Sequence, residues 1–193
     1  MKWFPLLGIV VVLAVVAPLI VGALGKRRAE REFPAEAERL GLAREGRPAA
    51  GKLGRFHGVF RDRRVVVRPD AFALVRVALE SRPALSLSTD PATRNVVRDT
   101  RPFDSGDPVF DRRFPHRFAS VDLAERLRAD ATLRRTLLDF AADPRIASLE
   151  VNAEYVSVTQ KIHVFFHYIP VDGFEALLGD LVALADALEP ALH

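Results

Sequence analysis

The sequence predicts an α+β fold in which a single N-terminal transmembrane helix precedes one domain of mostly antiparallel sheet, with helices packed on one face. Three observations predict this class. Residues 3–24 contain no charged side chain, short segments after residue 53 alternate apolar and polar positions, and residues 174–188 repeat apolar side chains at helical spacing. Alternation is typical of a half-buried strand, and the helical spacing is typical of an amphipathic helix.

The uncharged run at residues 3–24 has the length of a membrane-spanning helix. A hydrocarbon core about 30 Å thick needs about 20 apolar residues, each adding about 1.5 Å of helical rise. The alternative is a signal peptide cleaved near the small residues 21–23, which would give a secreted protein. Signal peptides have apolar regions of about 7 to 15 residues, shorter than this run. We therefore expect a retained transmembrane anchor over residues 1–25.

A basic cluster follows the apolar run, and its members are Lys26, Arg27, Arg28 and Arg31. The flank richer in Lys and Arg usually stays in the cytoplasm. This predicts a single-pass protein of the cell membrane whose soluble part is cytoplasmic. The four side chains are also the predicted membrane contacts, because each cation near an anionic bilayer contributes about 1 kcal/mol. The alternative is that they only set the topology.

Beyond the anchor, we expect a basic juxtamembrane linker over residues 26–51 and a soluble α+β domain over residues 52–193. Residues 35–40 predict a short helix that stops at Gly41, and this helix is either a stalk or the first element of the domain.

Charge is unevenly distributed, although the net charge is only +3. Residues 26–68 hold thirteen basic and six acidic side chains, whereas residues 169–193 hold five acidic side chains and no Lys or Arg. The arginines are scattered among acidic residues without interleaved aromatic residues, so we expect no nucleic-acid partner. The chain has no cysteine, which excludes disulfides, thiolate metal sites and cysteine nucleophiles.

The first half of the domain is predicted to be an antiparallel meander of short strands. These strands are expected over residues 54–60, 65–67, 73–79 and 85–88, with a further candidate over 95–98. Gly54 and Gly58 lie within the first strand. Isolated strand glycines usually mark a bulge or the close approach of another backbone, so we prefer that explanation to a ligand cradle.

The second half of the domain is predicted to be two helices, a hairpin, a further strand and a long closing helix. Asp122 and Glu125 have the spacing of a capping box, and Asp172 is the predicted N-cap of the last helix. The predicted elements are helices over 122–127 and 133–142, strands over 146–151, 154–159 and 162–168, and a helix from 172 that ends before Pro190.

Residues 106–114, GDPVFDRRF, are the most distinctive stretch of the domain. Phe110 and Phe114 are four residues apart, so they share one side of a helical turn or of an extended run and are predicted to lie in the core. With the helices and hairpin that follow, this stretch resembles a group of uncharacterised bacterial membrane-anchored proteins, whose domain of unknown function carries a Gly-Asp-x-x-Phe-Asp-x-x-Phe signature. The resemblance covers residues 53–188 and implies a membrane-associated domain with no assigned activity or functional residues.

Four carboxylates near this motif are the first candidate for chemistry: Asp99, Asp104, Asp107 and Asp111. They would hold calcium, or act as a paired acid and base, if they converged. Their spacing does not match the alternating ligands and invariant Gly of a calcium loop. We therefore prefer turn-forming or helix-capping roles.

The histidines are the second candidate, and they are His57, His116, His163, His167 and His193. His163 and His167 would share one face of a helix, but the apolar residues between them favour a strand. Four residues of strand span about 13 Å, too far for one metal ion. We expect these histidines to be structural or exposed.

No catalytic residue, metal site or cofactor is therefore predicted. The sequence favours a non-catalytic interaction module at the membrane surface. Its predicted partners are the bilayer through residues 3–24, anionic lipid head groups, and another membrane protein. The alternative is a membrane-tethered, hydrolase-like enzyme that uses the Asp-rich loop. That alternative requires Asp104, Asp107 or Asp111 to meet His116 or His163 in a closed pocket.

Overall fold

The structure, a computed structural model, describes residues 20, 23–24, 27–28, 30–48, 52–69, 73–94, 96–160 and 173–192. The strands are β1 (Leu42–Glu45), β2 (Arg55–Phe60), β3 (Arg63–Arg68), β4 (Leu74–Ala78), β5 (Leu85–Ser88), β6 (Arg101–Pro102), β7 (His116–Ala119), β8 (Ile146–Val151) and β9 (Tyr155–Gln160). The helices are α1 over residues 30–39, α2 (Pro108–Arg113), α3 (Val121–Ala129), α4 (Ala131–Ala141) and α5 (Phe174–Leu192). The described strands form one sheet in the order β1-β2-β3-β4-β9-β8-β5-β7-β6, and neighbours are antiparallel.

Strands β1 to β4 form a meander whose apolar residues alternate along each strand. Val65 pairs with Val77 and Val67 pairs with Val75, and these four side chains are buried. Because successive strand residues point to opposite faces, Val66 in β3 and Arg76 in β4 lie on the other face. The β2–β3 turn is made by Arg61 and Asp62 at φ 48° and 64°, as a two-residue hairpin of type I′ requires.

Gly58 confirms the expectation that a strand glycine marks a close backbone approach. It pairs with Leu42 of β1. A Cβ at this position would lie 2.2 Å from the carbonyl oxygen of Gly41. The backbone of the edge strand β1 therefore lies so close to β2 at this position that only glycine, which has no Cβ, fits there.

The sheet departs from the predicted meander after β4. Strand β4 pairs with β9, whereas β5 pairs with β7 and β8. The four residues of β5 are buried, as expected for a central strand. The hydrophobic periodicity of a strand does not show which other strands it pairs with. Residues 96–98 of the candidate strand at 95–98 are not in a strand, and β6 and β7 complete the sheet instead.

The helices cover the apolar face of the sheet. Helix α5 lies against β4 and β9, and α4 lies against β8 and α5. The predicted apolar stripe of α5 is buried, and it consists of Phe174, Leu177, Leu178, Leu181, Val182, Ala185 and Leu188. Helix α5 continues to Leu192 rather than ending before Pro190.

Phe110 and Phe114 are fully buried, with ring centroids 4.7 Å apart, which confirms their predicted place in the core. The predicted capping box is wrong, because α3 begins at Val121 with Ser120 as its N-cap. The predicted strand over 162–168 and the N-cap Asp172 lie outside the described residues.

Residues ahead of β2 belong to the same core as the rest of the domain. Phe33 of α1 is fully buried, and its ring centroid lies 5.3 Å from that of Phe56 and 5.0 Å from that of Phe174. Leu42 of β1 is also fully buried. Helix α1 thus packs in the core of the domain rather than forming a stalk, and β1 pairs with β2 in the same sheet.

The predicted fold class needs correction at its first element. In the part of the chain that the structure describes, no helix is long and apolar enough to cross a membrane. Of the predicted anchor at residues 1–25, only Ile20, Ala23 and Leu24 are described, and they are helical and exposed. The observed fold is a nine-stranded antiparallel sheet with helices, counted over the described residues.

Candidate functional site

The face of the sheet opposite the helices carries a cavity of about 380 Å³ over strands β2, β3, β4 and β9. We call it the arginine cavity. Its lining comprises Arg55, Arg64, Val66, Arg76, Ala78, Leu79, Arg82, Glu154 and Tyr155. Strand alternation places these residues, because the neighbours of the buried valines in β3 and β4 must face away from the core.

Arg76 lies in the middle of the arginine cavity with its guanidinium group stacked on an aromatic ring. The Arg76 Cζ atom lies 4.2 Å from the ring centroid of Tyr155. Tyr155 pairs with Ala78, two residues along β4, so the sheet register itself brings the two side chains together. The buried Nε of Arg76 has no hydrogen-bond partner among the described residues. The contact with the ring therefore holds in place a guanidinium whose donors are incompletely used.

The charges around the arginine cavity are mostly positive. Arg55 is paired with Glu45 of β1, at 3.1 Å between Nε and Oε2. Glu154 is the one carboxylate among the nine lining residues that the structure describes. Arg64, Arg76 and Arg82 therefore outweigh the negative charge at the cavity and favour an anionic ligand.

Arg82 has a backbone conformation that is unusual for an arginine. Its φ is 46°, in the left-handed region, which costs a residue with a Cβ about 1–2 kcal/mol. Backbone strain of this kind is often retained where the position of a side chain matters for function. Its place at the rim of the arginine cavity agrees with that pattern.

The lining residues suit binding better than acid–base catalysis. Arginine remains protonated in proteins and presents five donors in a planar fork, so it binds carboxylate and phosphate groups but is a poor proton carrier. Val66, Ala78 and Leu79 provide apolar surface beside these donors. The arginine cavity thus combines a cationic wall with an apolar one.

Comparison with known proteins shows a shared fold at low sequence identity. No protein-family model and no curated protein matches the chain. A solved structure is similar, the crystal structure of the mycobacterial trehalose monomycolate transport factor A, TtfA. The two chains are 12% identical, with a TM-score of 0.51, and the match covers 86% of this chain and 96% of that chain. At this identity the similarity concerns the fold alone.

The predicted membrane contacts lie apart from the arginine cavity. Arg27, Arg28 and Arg31 are exposed and helical, and Lys26 lies outside the described residues. Arg28 pairs with Glu32 one turn later, at 2.8 Å between Nε and Oε2. None of the three described arginines lines the cavity.

The Asp-rich loop is held together by its own carboxylates. Asp107 caps α2 by accepting hydrogen bonds from the amides of Val109 and Phe110, at 2.9 and 3.2 Å. Asp104 accepts a hydrogen bond from the amide of Gly106 at 2.8 Å, and this bond holds the pKa of Asp104 below its ordinary value.

The other two carboxylates of that candidate site are also separate from the cavity. Asp111 accepts a hydrogen bond from the amide of Ser105 at 3.2 Å and pairs with Arg117 at 3.1 Å. The Asp99 side chain is 89% exposed beside Arg98. The turn-forming and capping roles expected from the sequence are observed, and none of the four carboxylates lines the arginine cavity.

His116 forms a buried pair with a serine. Its Nε2 lies 2.9 Å from the Ser86 hydroxyl, and its ring stacks on Phe118 at 4.8 Å. Ser86 has no exposed surface, so no substrate reaches its oxygen without rearrangement of the sheet. His57 is exposed on β2, and His163, His167 and His193 lie outside the described residues. Within the described ranges, no cluster of three or more His, Asp or Glu side chains has the arrangement of a metal site.

Sequence reasoning missed the residues of the arginine cavity. The available signal was an arginine next to a buried valine, before Val65 in RRVVVR and between Val75 and Val77 in LVRVA. Such a residue faces away from the core. That pattern alone does not show that Arg64, Arg76 and Tyr155 come together, because Tyr155 arrives from β9 through a long-range pairing.

Proposed function

We propose that this protein is a non-catalytic interaction module that works at a membrane surface and binds anionic lipid head groups in the arginine cavity. The observation that carries the proposal is the group of Arg64, Arg76 and Arg82 around one cavity, with Arg76 oriented by Tyr155. Oriented guanidinium groups at a partly enclosed site bind phosphate and carboxylate groups more strongly than scattered surface charges do.

Two further features support a binding role at a membrane. The basic residues Lys26, Arg27, Arg28 and Arg31 would add attraction to an anionic surface, at about 1 kcal/mol for each cation near it. The fold resembles that of the mycobacterial trehalose monomycolate transport factor A, and a transport factor is a role that fits a binding domain.

The test is sedimentation of the full-length protein with vesicles of phosphatidylcholine alone or of phosphatidylcholine mixed with phosphatidylglycerol. We expect more protein on the anionic vesicles at low salt, and loss of this excess at high salt. The Debye length falls from about 10 Å at 0.1 M to about 3 Å at 1 M, so exposed charges then attract little. Equal binding to both vesicles would refute lipid recognition and leave a protein partner, to be sought by cross-linking.

A charge-matched pair of variants separates the arginine cavity from general basicity. The double variant Arg64→Gln/Arg82→Gln removes two cavity charges. The control Arg98→Gln/Arg135→Gln removes two charges from side chains that are 94% and 84% exposed and do not line the cavity. We expect only the first variant to lose the excess binding. Equal losses would show that net charge, rather than this site, drives the interaction.

A further inference from the structure

We infer that the arginine cavity is built for a phosphate monoester that carries a short apolar group. This inference rests on the proposed function, because it takes the cavity as the anion site and names the chemical form of the anion. Three properties of the lining lead to it: residual charge, an apolar wall and the position of Arg76 over the Tyr155 ring.

The residual charge of the lining matches a dianion. Arg55 is already paired with Glu45. The remaining charged residues are Arg64, Arg76, Arg82 and Glu154, which leave an excess of two positive charges. A phosphate monoester carries about −1.5 to −2 at pH 7, because its second pKa is about 6. A carboxylate or a phosphate diester carries a single negative charge and would leave one arginine without a counter-ion.

The apolar part of the lining favours a ligand that carries an apolar group in addition to its phosphate. Val66, Ala78 and Leu79 line the cavity beside the charged residues, and the Tyr155 ring adds an aromatic surface. A volume of about 380 Å³ lies at the lower end of the range of about 300 to 1,000 Å³ for small-molecule sites. The cavity therefore has room for a phosphate group together with a short alkyl chain or a glycerol unit.

The Arg76–Tyr155 stack gives the site a geometric preference as well as a charge. A guanidinium held over a ring has a restricted position, and its fork of donors suits two oxygens of one phosphate. A lysine at this position would keep the charge but lose both the stack and the fork. Arg76 is thus expected to position the phosphate, whereas Arg64 and Arg82 supply charge.

Two sources would provide this chemistry, the head group of a phosphatidic acid and a soluble alkyl phosphate. Calorimetric titration of the full-length protein with butyl phosphate, dibutyl phosphate and inorganic phosphate tests the chemistry without a membrane. Sedimentation with phosphatidylcholine vesicles that contain phosphatidic acid or phosphatidylglycerol, at equal molar fraction, then distinguishes the sources. Preference for phosphatidic acid identifies a lipid ligand, and binding of butyl phosphate without that preference identifies a soluble one.

We expect butyl phosphate to bind more tightly than inorganic phosphate, by about fourfold for each buried methylene, which corresponds to about 0.8 kcal/mol. Dibutyl phosphate should bind more weakly than butyl phosphate, since it carries one charge. Binding of butyl phosphate should also weaken between about pH 7.5 and pH 5, as its second ionisation is lost.

The direction of this pH effect shows whether ionisation of the ligand or of the protein causes it. Protonation of Glu154 at the cavity, of Glu45 beside Arg55, or of His57 on the same face of β2 would make the site more positive. Each would strengthen anion binding, and the arginines stay charged. A fall in affinity on acidification therefore comes from the phosphate, and a rise in affinity would contradict a dianionic ligand.

Variants complete the test. Arg76→Lys should weaken both phosphate esters, because it keeps the charge but loses the ring contact and the fork of donors. Arg64→Gln, at an exposed position, should weaken butyl phosphate more than dibutyl phosphate, because it removes one positive charge. The control Arg98→Gln should change neither. Circular dichroism melts check that each variant is folded, and Arg64→Gln keeps the test valid if Arg76→Lys does not fold. If no phosphate ester binds while vesicle binding still depends on Arg64 and Arg82, this inference is wrong and the proposed function stands.

Discussion

Arg63 at the start of β3 and Glu189 near the end of α5 form an ion pair that joins the sheet to the last helix. Arg63 Nη1 lies 3.0 Å from Glu189 Oε1, and the two side chains are only 12% and 13% exposed. Arg63 also donates to Asp186 from Nε and Nη2, at 2.9 and 2.7 Å. Glu189 in turn accepts hydrogen bonds from the amides of Glu80 and Ser81. One carboxylate thus connects three segments of the chain.

This arrangement predicts a loss of stability in acid. Burial alone would raise the pKa of Glu189, but ion pairing with Arg63 and the two amide hydrogen bonds outweigh it and hold that pKa below the ordinary 4.5. A lowered pKa in the folded state stabilises the protein above the unfolded-state value and ceases to do so as the pH falls through the folded-state value. The free energy of unfolding in urea should therefore decrease below about pH 4.5.

The variant Glu189→Gln should reduce this acid dependence. It should also be less stable than the parent at neutral pH, because the buried guanidinium of Arg63 loses a counter-ion. Glu125→Gln on the exposed side of α3 is the control. If both variants keep the parent's acid dependence, Glu189 does not contribute to it.

Replacement of Gly179 in α5 by alanine is expected to stabilise the protein. Glycine inside a helix costs about 0.5–1 kcal/mol relative to alanine. A Cβ at Gly179 would meet the Nη1 atom of Arg61 at 3.2 Å. Arg61 is exposed, so its flexible end should move away. We expect Gly179→Ala to raise the free energy of unfolding by about 0.5–1 kcal/mol, as measured by urea titration.

Gly58→Ala is the contrasting variant. The Cβ would meet the backbone oxygen of Gly41 at 2.2 Å, and a backbone in a paired strand does not move aside. We expect it to destabilise the fold by about 1–3 kcal/mol or more. A destabilised Gly179→Ala protein would show that Arg61 is held more firmly than its exposure implies.

Truncation of Phe110 to alanine is expected to cause a large loss of stability. Its side chain is fully buried against Phe114, and Phe→Ala in a core costs about 3–5 kcal/mol. Its neighbour Val109 is 65% exposed, so Val109→Ala should change the free energy of unfolding by less than about 0.5 kcal/mol. Thermal melts of the full-length protein measure both, and similar midpoints would contradict the packing of α2.

Local patterns determined how much of the fold was predictable from the sequence. The α5 stripe, the β2–β3 hairpin and the burial of Phe110 and Phe114 each follow from spacing within a single segment. The pairing of β4 with β9 depends on residues far apart in the chain, so periodicity does not reveal it. The start of α3 was misplaced because Ser120 and Asp122 both suit a helix N-terminus.

The candidate site was less predictable for the same reason. The turn-forming roles of Asp104 and Asp107 were expected, since their partners lie within three residues. The arginine cavity needs Arg64, Arg76 and Tyr155 from strands β3, β4 and β9. Only the tertiary register shows that arginines from two strands line one cavity with a tyrosine from a third.

The position of β9 beside β4 also has a consequence for biosynthesis. Strand β4 ends at Ala78 and its partner begins at Tyr155. At about 5–20 residues per second on the ribosome, roughly 4–15 s pass before β9 is made. During that interval the β1–β4 meander has an open edge that other chains could pair with. We therefore expect the β4 edge to need protection during synthesis, by rapid completion of the chain or by a chaperone, whereas in the finished sheet β9 covers it.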